Sequence, residues 1–110
     1  MNKYGDLKIW KGAMELVREV YVSMTKLPDD EKFGLISHSK RCSESILTNI
    51  AEGGGRNSKK KFNPFLSITN GSTLELETQL LLIYQLNFVE RQNIEPLLEK
   101  CAEISKMQKA

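Results

Sequence analysis

Ser45-Ile46-Leu47-Thr48-Asn49-Ile50-Ala51-Glu52-Gly53-Gly54-Gly55-Arg56 runs straight into Asn57-Ser58-Lys59-Lys60-Lys61. Ile46, Leu47, Ile50 and Ala51 recur at helical spacing, the glycines are read as the left-handed cap and turn that end that helix, and Ser58 is the cap of the next. Two helices joined by so short a connection pack as antiparallel neighbours. The lysines fall in a first turn, where the helix dipole already supplies positive charge, so local stability does not account for them.

Working outward, the segment 6–27 carries Trp10, Ala13, Met14, Val17, Val20, Tyr21, Met24 and Leu27 at three-four spacing, which predicts a helix capped by Asp6 and stopped before Pro28. A second helix, 30–52, is expected to start on Asp29 or Asp30, with the stripe Leu35, Ser39, Cys42, Ile46 and Ile50. The third, 59–86, keeps Phe62, Phe65, Leu66, Thr69, Thr73, Leu76, Leu80 and Ile83 in one phase. That phase holds across Asn70-Gly71 and rules out a hairpin turn there. Pro64 leaves two readings, a kinked helix from Lys59 or a start delayed to Pro64 with Asn63 as cap. The fourth, 93–108, is expected to be capped by Asn93 because Pro96 suits a first turn, and its stripe is Leu97, Leu98, Cys101, Ala102, Ile104 and Met107. The sum is a single all-α domain over 1–110, an up-down-up-down antiparallel four-helix bundle.

Composition agrees with a globular protein: 110 residues, 40% hydrophobic and 27% charged, with a net charge of +2. The charge is uneven. Between Lys40 and Lys61 six basic residues face two acidic ones, so that stretch nets +4 and the remainder −2. A local basic patch on a near-neutral body suggests a polyanionic partner. No apolar leader follows Met1, and no run is long enough to span a membrane. The two cysteines, Cys42 and Cys101, are too few for a disulfide framework or a zinc motif and read as small core residues in a reduced, cytoplasmic setting.

Catalytic chemistry has little to stand on. His38 is the sole histidine, and Ser37, Ser39 and Ser43 around it read as small helix residues. Glu75 and Glu77 are two apart and leave a helix on different sides, which rules out a general acid/base pair. The triple glycine follows a helix and lacks a following Gly-Lys-Ser/Thr, so it is not a phosphate loop. No metal-ligating cluster, cofactor or small-molecule substrate is expected, and the chain reads as a non-enzyme.

Asp6-Leu7-Lys8-Ile9-Trp10-Lys11, Phe33-Gly34-Leu35, the Ser45–Arg56 segment and Leu74-Glu75-Leu76-Glu77-Thr78-Gln79-Leu80 together resemble one family. It is the bacterial four-helix-bundle family first named for proteins encoded in intervening sequences of 23S ribosomal RNA (S23-like), which includes accessory proteins of diversity-generating retroelements. Asn49–Gly53 and Glu75–Gln79 are its most specific parts. The chain departs from the pattern with lysine at position 40, Glu44, Leu47 in place of a proline, and Pro64. The resemblance implies a basic, ring-shaped homopentamer that binds nucleic acid and, in the retroelement branch, a reverse transcriptase.

Two surfaces follow as expectations. Lys40, Arg41, Arg56, Lys59, Lys60 and Lys61 are the candidate contacts to RNA or DNA backbone, sequence-tolerant because lysine acts on phosphate as a point charge. Leu81, Leu82 and Tyr84, where Leu80-Leu81-Leu82-Ile83-Tyr84 is apolar all round the helix, are the candidate oligomer interface, with Ile9 and Leu16 as further off-stripe apolar positions. The competing reading is a protein–protein scaffold with incidental basic charge.

Overall fold

The computed structural model describes the backbone of residues 5–54 and 59–109, and their side chains except those of 5–7, 59–63 and 109. Four helices, α1 (Gly5–Met24), α2 (Ser37–Gly54), α3 (Lys59–Gln85) and α4 (Arg91–Lys109), account for nearly all of it. Helices consecutive in the chain pack on one another and α4 closes back on α1, with α2 and α3 sharing the largest interface. Pairs across the seams run in opposite order along the partner helices. His38 meets Glu75 and Ser45 meets Ser72 between α2 and α3, while Lys100 reaches Glu15 at 2.8 Å between α4 and α1. The architecture is the antiparallel four-helix bundle, 43 × 24 × 18 Å in extent.

The core is the sum of the helix stripes. Ile46 and Ile50 of α2, Leu76, Leu80 and Ile83 of α3, and Leu97, Cys101 and Ile104 of α4 are all buried. In α1 the buried line is Ile9, Ala13, Leu16, Val20 and Met24. This corrects the sequence reading, which placed Ile9 and Leu16 off the stripe and offered them to an oligomer interface. They are 8% and 0% exposed within the subunit, so their apolar surface is already used. Trp10, Met14 and Val17 sit on the flank and Tyr21 is exposed. With large apolar residues on about half of α1's circumference, periodicity marks the buried side but not its centre.

Helix ends depart from expectation in instructive ways. α1 stops at Met24, and three tight turns, with the N–H groups of Thr25, Lys26 and Leu27 donating three residues back, carry the chain to Pro28. Regular α2 begins at Ser37, not at Asp30. A 3₁₀ turn at Asp29–Glu31 and a wide turn at Lys32–Ile36 precede it, broken at Gly34 (φ −109°, ψ −107°). Gly53 and Gly54 are helical and buried, and no described glycine has positive φ. Gly53 and Gly54 are thus the last helical residues of α2 and not its left-handed cap; Gly55, Arg56 and the proposed Ser58 cap lie outside the described residues. α3 starts at Lys59 and runs through Pro64, and α4 starts at Arg91 and runs through Pro96. Both prolines are exposed and lie six residues into their helices, where each removes one backbone donor. Asn93 is not the cap of α4 but its third residue, and its side-chain oxygen accepts the Glu90 N–H at 3.2 Å.

Among the described residues the left-handed one is Asn87, with φ 64°. Asn87 N–H donates to the Tyr84 carbonyl at 2.9 Å and Phe88 N–H to the Ile83 carbonyl at 3.2 Å. This pair of bonds is a Schellman motif closing α3, and Phe88 packs on the core as such motifs require. Replacing Asn87 by Ala keeps a β-carbon in left-handed backbone but removes the short polar side chain that eases it, and should cost about 1 kcal/mol in denaturant unfolding at fixed protein concentration. Asn87→Gly should match or exceed the parent. Equal loss in both variants would mean that the Asn side chain, and not the backbone, closes the helix.

Candidate functional site

The candidate phosphate contacts whose backbone is described fall into two groups. Lys40 and Arg41 lie in the first turn and a half of α2, while Lys59, Lys60 and Lys61 open α3 at the far end of the α2–α3 hairpin. The thirteen helical steps from Arg41 to Gly54 put about 20 Å between the two groups along the bundle. α3 has no acidic residue in its first turn to offset the lysines. Arg56 lies outside the described residues, as do the lysine side chains at 59–61.

Around Lys40 and Arg41 the structure adds residues that the sequence reading passed over. Tyr21, Lys32, Phe33, Ile36, Ser37, Lys40, Arg41 and Glu44 line a cleft of about 350 Å³ between the end of α1 and the start of α2. Phe33 is 89% exposed, held out by the break at Gly34, with the Lys32 ammonium 5.8 Å from its ring centroid. The Lys40 ammonium stands 4.5 Å over the Tyr21 ring, a cation–π contact. The Tyr21 hydroxyl donates to Glu44. An apolar ring placed ahead of the α2 stripe, beside a glycine, was the available signal; reading 30–52 as one continuous helix concealed it.

A second gathering was also missed. His38 and Cys42 are one helical turn apart on α2, and Glu75 reaches them from α3, with His38 Nε2 and Glu75 Oε2 2.6 Å apart. The imidazole nitrogen, the thiol sulfur and a carboxylate oxygen all lie within 4.8 Å of one another. Burial and the adjacent Glu75 carboxylate push the Cys42 thiol up to about 11. Burial alone dominates at Cys101, pushed up to about 12. Both are protonated thiols at neutral pH, consistent with a reading as non-nucleophilic core residues. The expectation of no ligand cluster is thus corrected: Glu75 comes 33 positions after Cys42 in the chain, so no local spacing could reveal it.

The outer face of α3 is the third feature. Ile68, Leu74, Leu81, Leu82 and Leu86 are 42–66% exposed, and Tyr84 is half-buried beside the core. Among the exposed residues from Pro64 to Leu86, Glu75 is the sole charged side chain. Gly71 lies on this face, with nothing within 4 Å of where a β-carbon would stand.

These observations define an all-helical, four-helix-bundle protein with a basic, aromatic corner and a nearly uncharged outer helix face. Within that class the chain belongs to the family of 23S rRNA-intervening sequence proteins, whose profile matches residues 5–110. Its fold is similar to the crystal structure of a protein of unknown function from the S23 ribosomal protein family of Bacteroides thetaiotaomicron. That protein is 24% identical, with a TM-score of 0.84 over 96% of this chain and 95% of that one. No curated protein matches the sequence. Neither match assigns an enzymatic activity, and no helix among the described residues is long and apolar enough to cross a membrane.

The Tyr21–Glu44 bond makes the basic corner testable by titration. Donation to Glu44 comes first in raising the Tyr21 ionisation above its ordinary value of 10.0, followed by desolvation and the Glu44 charge. The stabilisation is therefore fully present below pH 10 and is lost as pH climbs through the raised value. Absorbance titration of tyrosinate, with Tyr21→Phe to assign the signal, should show Tyr21 ionising above its ordinary value. Glu44→Gln should move it back towards the ordinary value.

Proposed function

We propose that this chain is a non-enzymatic subunit that assembles with copies of itself through the outer face of α3, and that the assembly holds nucleic-acid backbone on its basic residues without sequence readout. The observation that carries the assembly is the composition of that face. A solvent-facing helix surface six turns long normally carries both acidic and basic residues, whereas this one offers leucine, isoleucine, proline, glycine and uncharged polar side chains around one glutamate. A second copy of the chain is the occupant because the resemblance is to ring-forming homopentamers. Gly71 further supports a helix-to-helix contact by leaving room for a neighbouring backbone. Head-to-tail contacts between copies close into a ring when the rotation permits, and five subunits is the number the family resemblance supplies.

Nucleic acid is favoured by Phe33. An aromatic ring 89% exposed between Lys32 and the Lys40–Arg41 pair combines a stacking face for a base with donors for phosphate. In an oligomer this corner and the lysines at 59–61 repeat once per subunit, so weak contacts add by avidity along one strand. A second reading, a protein scaffold docking on a partner such as a reverse transcriptase, is favoured by a different observation. Glu44 and Glu75 stand among the basic residues of α2 and reduce the local positive potential.

Sedimentation or light scattering at micromolar concentration should return an oligomer, and Leu74→Glu with Leu81→Glu should return a monomer of unchanged helix content. A monomeric parent would end the assembly proposal. Anisotropy with a random-sequence single strand then separates the two ligand readings. Lys59, Lys60 and Lys61 changed together to Gln should flatten the salt dependence by about 2 units, at roughly 0.7 per phosphate contact. The same change should leave the fold intact or steadier, since it removes cations from a helix N-terminus. Phe33→Ala should weaken binding by about 1–3 kcal/mol. Should the parent fail to bind at low salt, or bind without salt dependence, the scaffold reading replaces this one.

A further inference from the structure

The cluster of His38, Cys42 and Glu75 is a site of a kind that the fold does not need. The α2–α3 seam is already closed by buried apolar residues, and the Ser45 and Ser72 hydroxyls, 2.8 Å apart, tie the same helices just beside it. A cleft of about 270 Å³ opens on the cluster, lined by His38, Arg41, Cys42, Ser45, Ser72 and Glu75. Three different ligand types converge there from two helices: an imidazole nitrogen, a sulfur and a carboxylate oxygen. We propose that His38, Cys42 and Glu75 bind one divalent transition-metal ion of the zinc or cobalt type, which joins α2 to α3.

The donor set selects the ion. Sulfur and imidazole nitrogen favour zinc and its neighbours, whereas magnesium and calcium require oxygen ligands alone. Zinc sits about 2.0–2.3 Å from such atoms, which in tetrahedral geometry sets the ligands roughly 3.3–3.8 Å apart. The ligand atoms here lie within 4.8 Å of one another, close to that figure. Binding needs the 2.6 Å His38–Glu75 contact to open by about 1 Å and any spacing near the 4.8 Å limit to close by a similar amount, and the His38 and Glu75 side chains can move to do so, being 40% and 52% exposed. His38 and Cys42 need no rearrangement to face the same ion, because residues four apart share a helix face. Charge also fits. With Cys42 as thiolate and Glu75 as carboxylate, the two negative charges cancel those of the ion, so Arg41 at the rim meets a neutral centre. Three protein ligands leave a fourth position facing the cleft, where water completes the coordination.

On the full chain stripped with chelator, cobalt(II) should bind one ion per subunit. It should give the near-ultraviolet thiolate-to-cobalt charge-transfer band and the visible bands of a four-coordinate ion, and zinc should displace it. Cys42→Ser should abolish the charge-transfer band, while Cys101→Ala, which changes the other buried thiol, should leave it in place. His38→Gln and Glu75→Gln alter exposed side chains, so they should fold, as circular dichroism will verify. Each should weaken cobalt binding at least about tenfold, since even groups that only support a ligand are worth that much. Zinc should also raise the melting midpoint of the parent but not of His38→Gln. Absence of the charge-transfer band with cobalt in tenfold excess, or its persistence in Cys42→Ser, overturns the proposal. Unchanged affinity in both His38→Gln and Glu75→Gln does the same, and the cluster is then only a hydrogen-bonded tie between helices.

Discussion

The close approach of α2 to α3 is the constraint on which the rest of this bundle depends. Beside the buried apolar residues, small ones are buried along both helices: Ser39 and Ser43 of α2, and Thr69, Ser72 and Thr73 of α3, are 9% exposed or less, and Ser72 meets Ser45 across the seam at 2.8 Å. Small side chains let the two backbones come near enough for dispersion contacts along their length. Their hydroxyls would be a liability if stranded, but most are answered at home. Thr69 donates to the Phe65 carbonyl at 2.8 Å, Thr73 to the Thr69 carbonyl at 2.7 Å, and Ser43 to the Lys40 carbonyl at 2.8 Å. Such bonds to the helix's own backbone let a polar residue line a seam without a partner across it. Ser39 Oγ is left without a partner. With the seam closed in this way, the isoleucines and leucines of both helices turn towards α1 and α4, and the remaining leucines of α3 can only face outward.

Much of this was legible in the sequence because it is local. The stripes of α2, α3 and α4 carry their period in residues three and four apart, and the buried positions follow them closely. α1 was legible as a helix but not in its rotation: with Ile9, Trp10, Ala13, Met14, Leu16 and Val17 all apolar, the pattern is too broad to mark its own centre, and tertiary packing chose Ile9 and Leu16. Signals that rest on backbone conformation fared worse. Three consecutive glycines read as a terminator, and α2 ends among them, but two residues later than expected, with Gly53 and Gly54 still helical and buried. The left-handed closure of α3 fell to Asn87, which tolerates that conformation better than most residues and was not singled out. The His38–Cys42–Glu75 gathering could not be read at all. It depends on the register between two helices, which no window along one helix contains.

The distribution of charge changes what the basic residues can mean. In sequence they are one run from Lys40 to Lys61; in space the helix α2 separates them into two ends of the molecule. A single subunit thus cannot present them as one surface to one short stretch of backbone. A repeated subunit can, since neighbouring copies supply many such ends at fixed spacing. The two halves of the functional reading are therefore coupled: phosphate binding by so modest a charge depends on multiplicity, and multiplicity depends on α3.

That helix carries its one exposed charge between Pro64 and Leu86 in an unusual way. Glu75 lies among the exposed leucines by position, next to Leu74, yet its carboxylate is turned back onto α2, where His38 and the Cys42 thiol engage it. A carboxylate left free at this point would have to be stripped of water whenever another apolar surface covered the face, at a cost that leucine contacts of this size would struggle to offset. Tied to α2, it keeps a hydrogen-bond partner within the subunit and leans away from the leucines it would otherwise interrupt. The polar cluster and the apolar face are then two sides of one arrangement, in which the contact that joins α2 to α3 also leaves the outside of α3 fit to meet another helix.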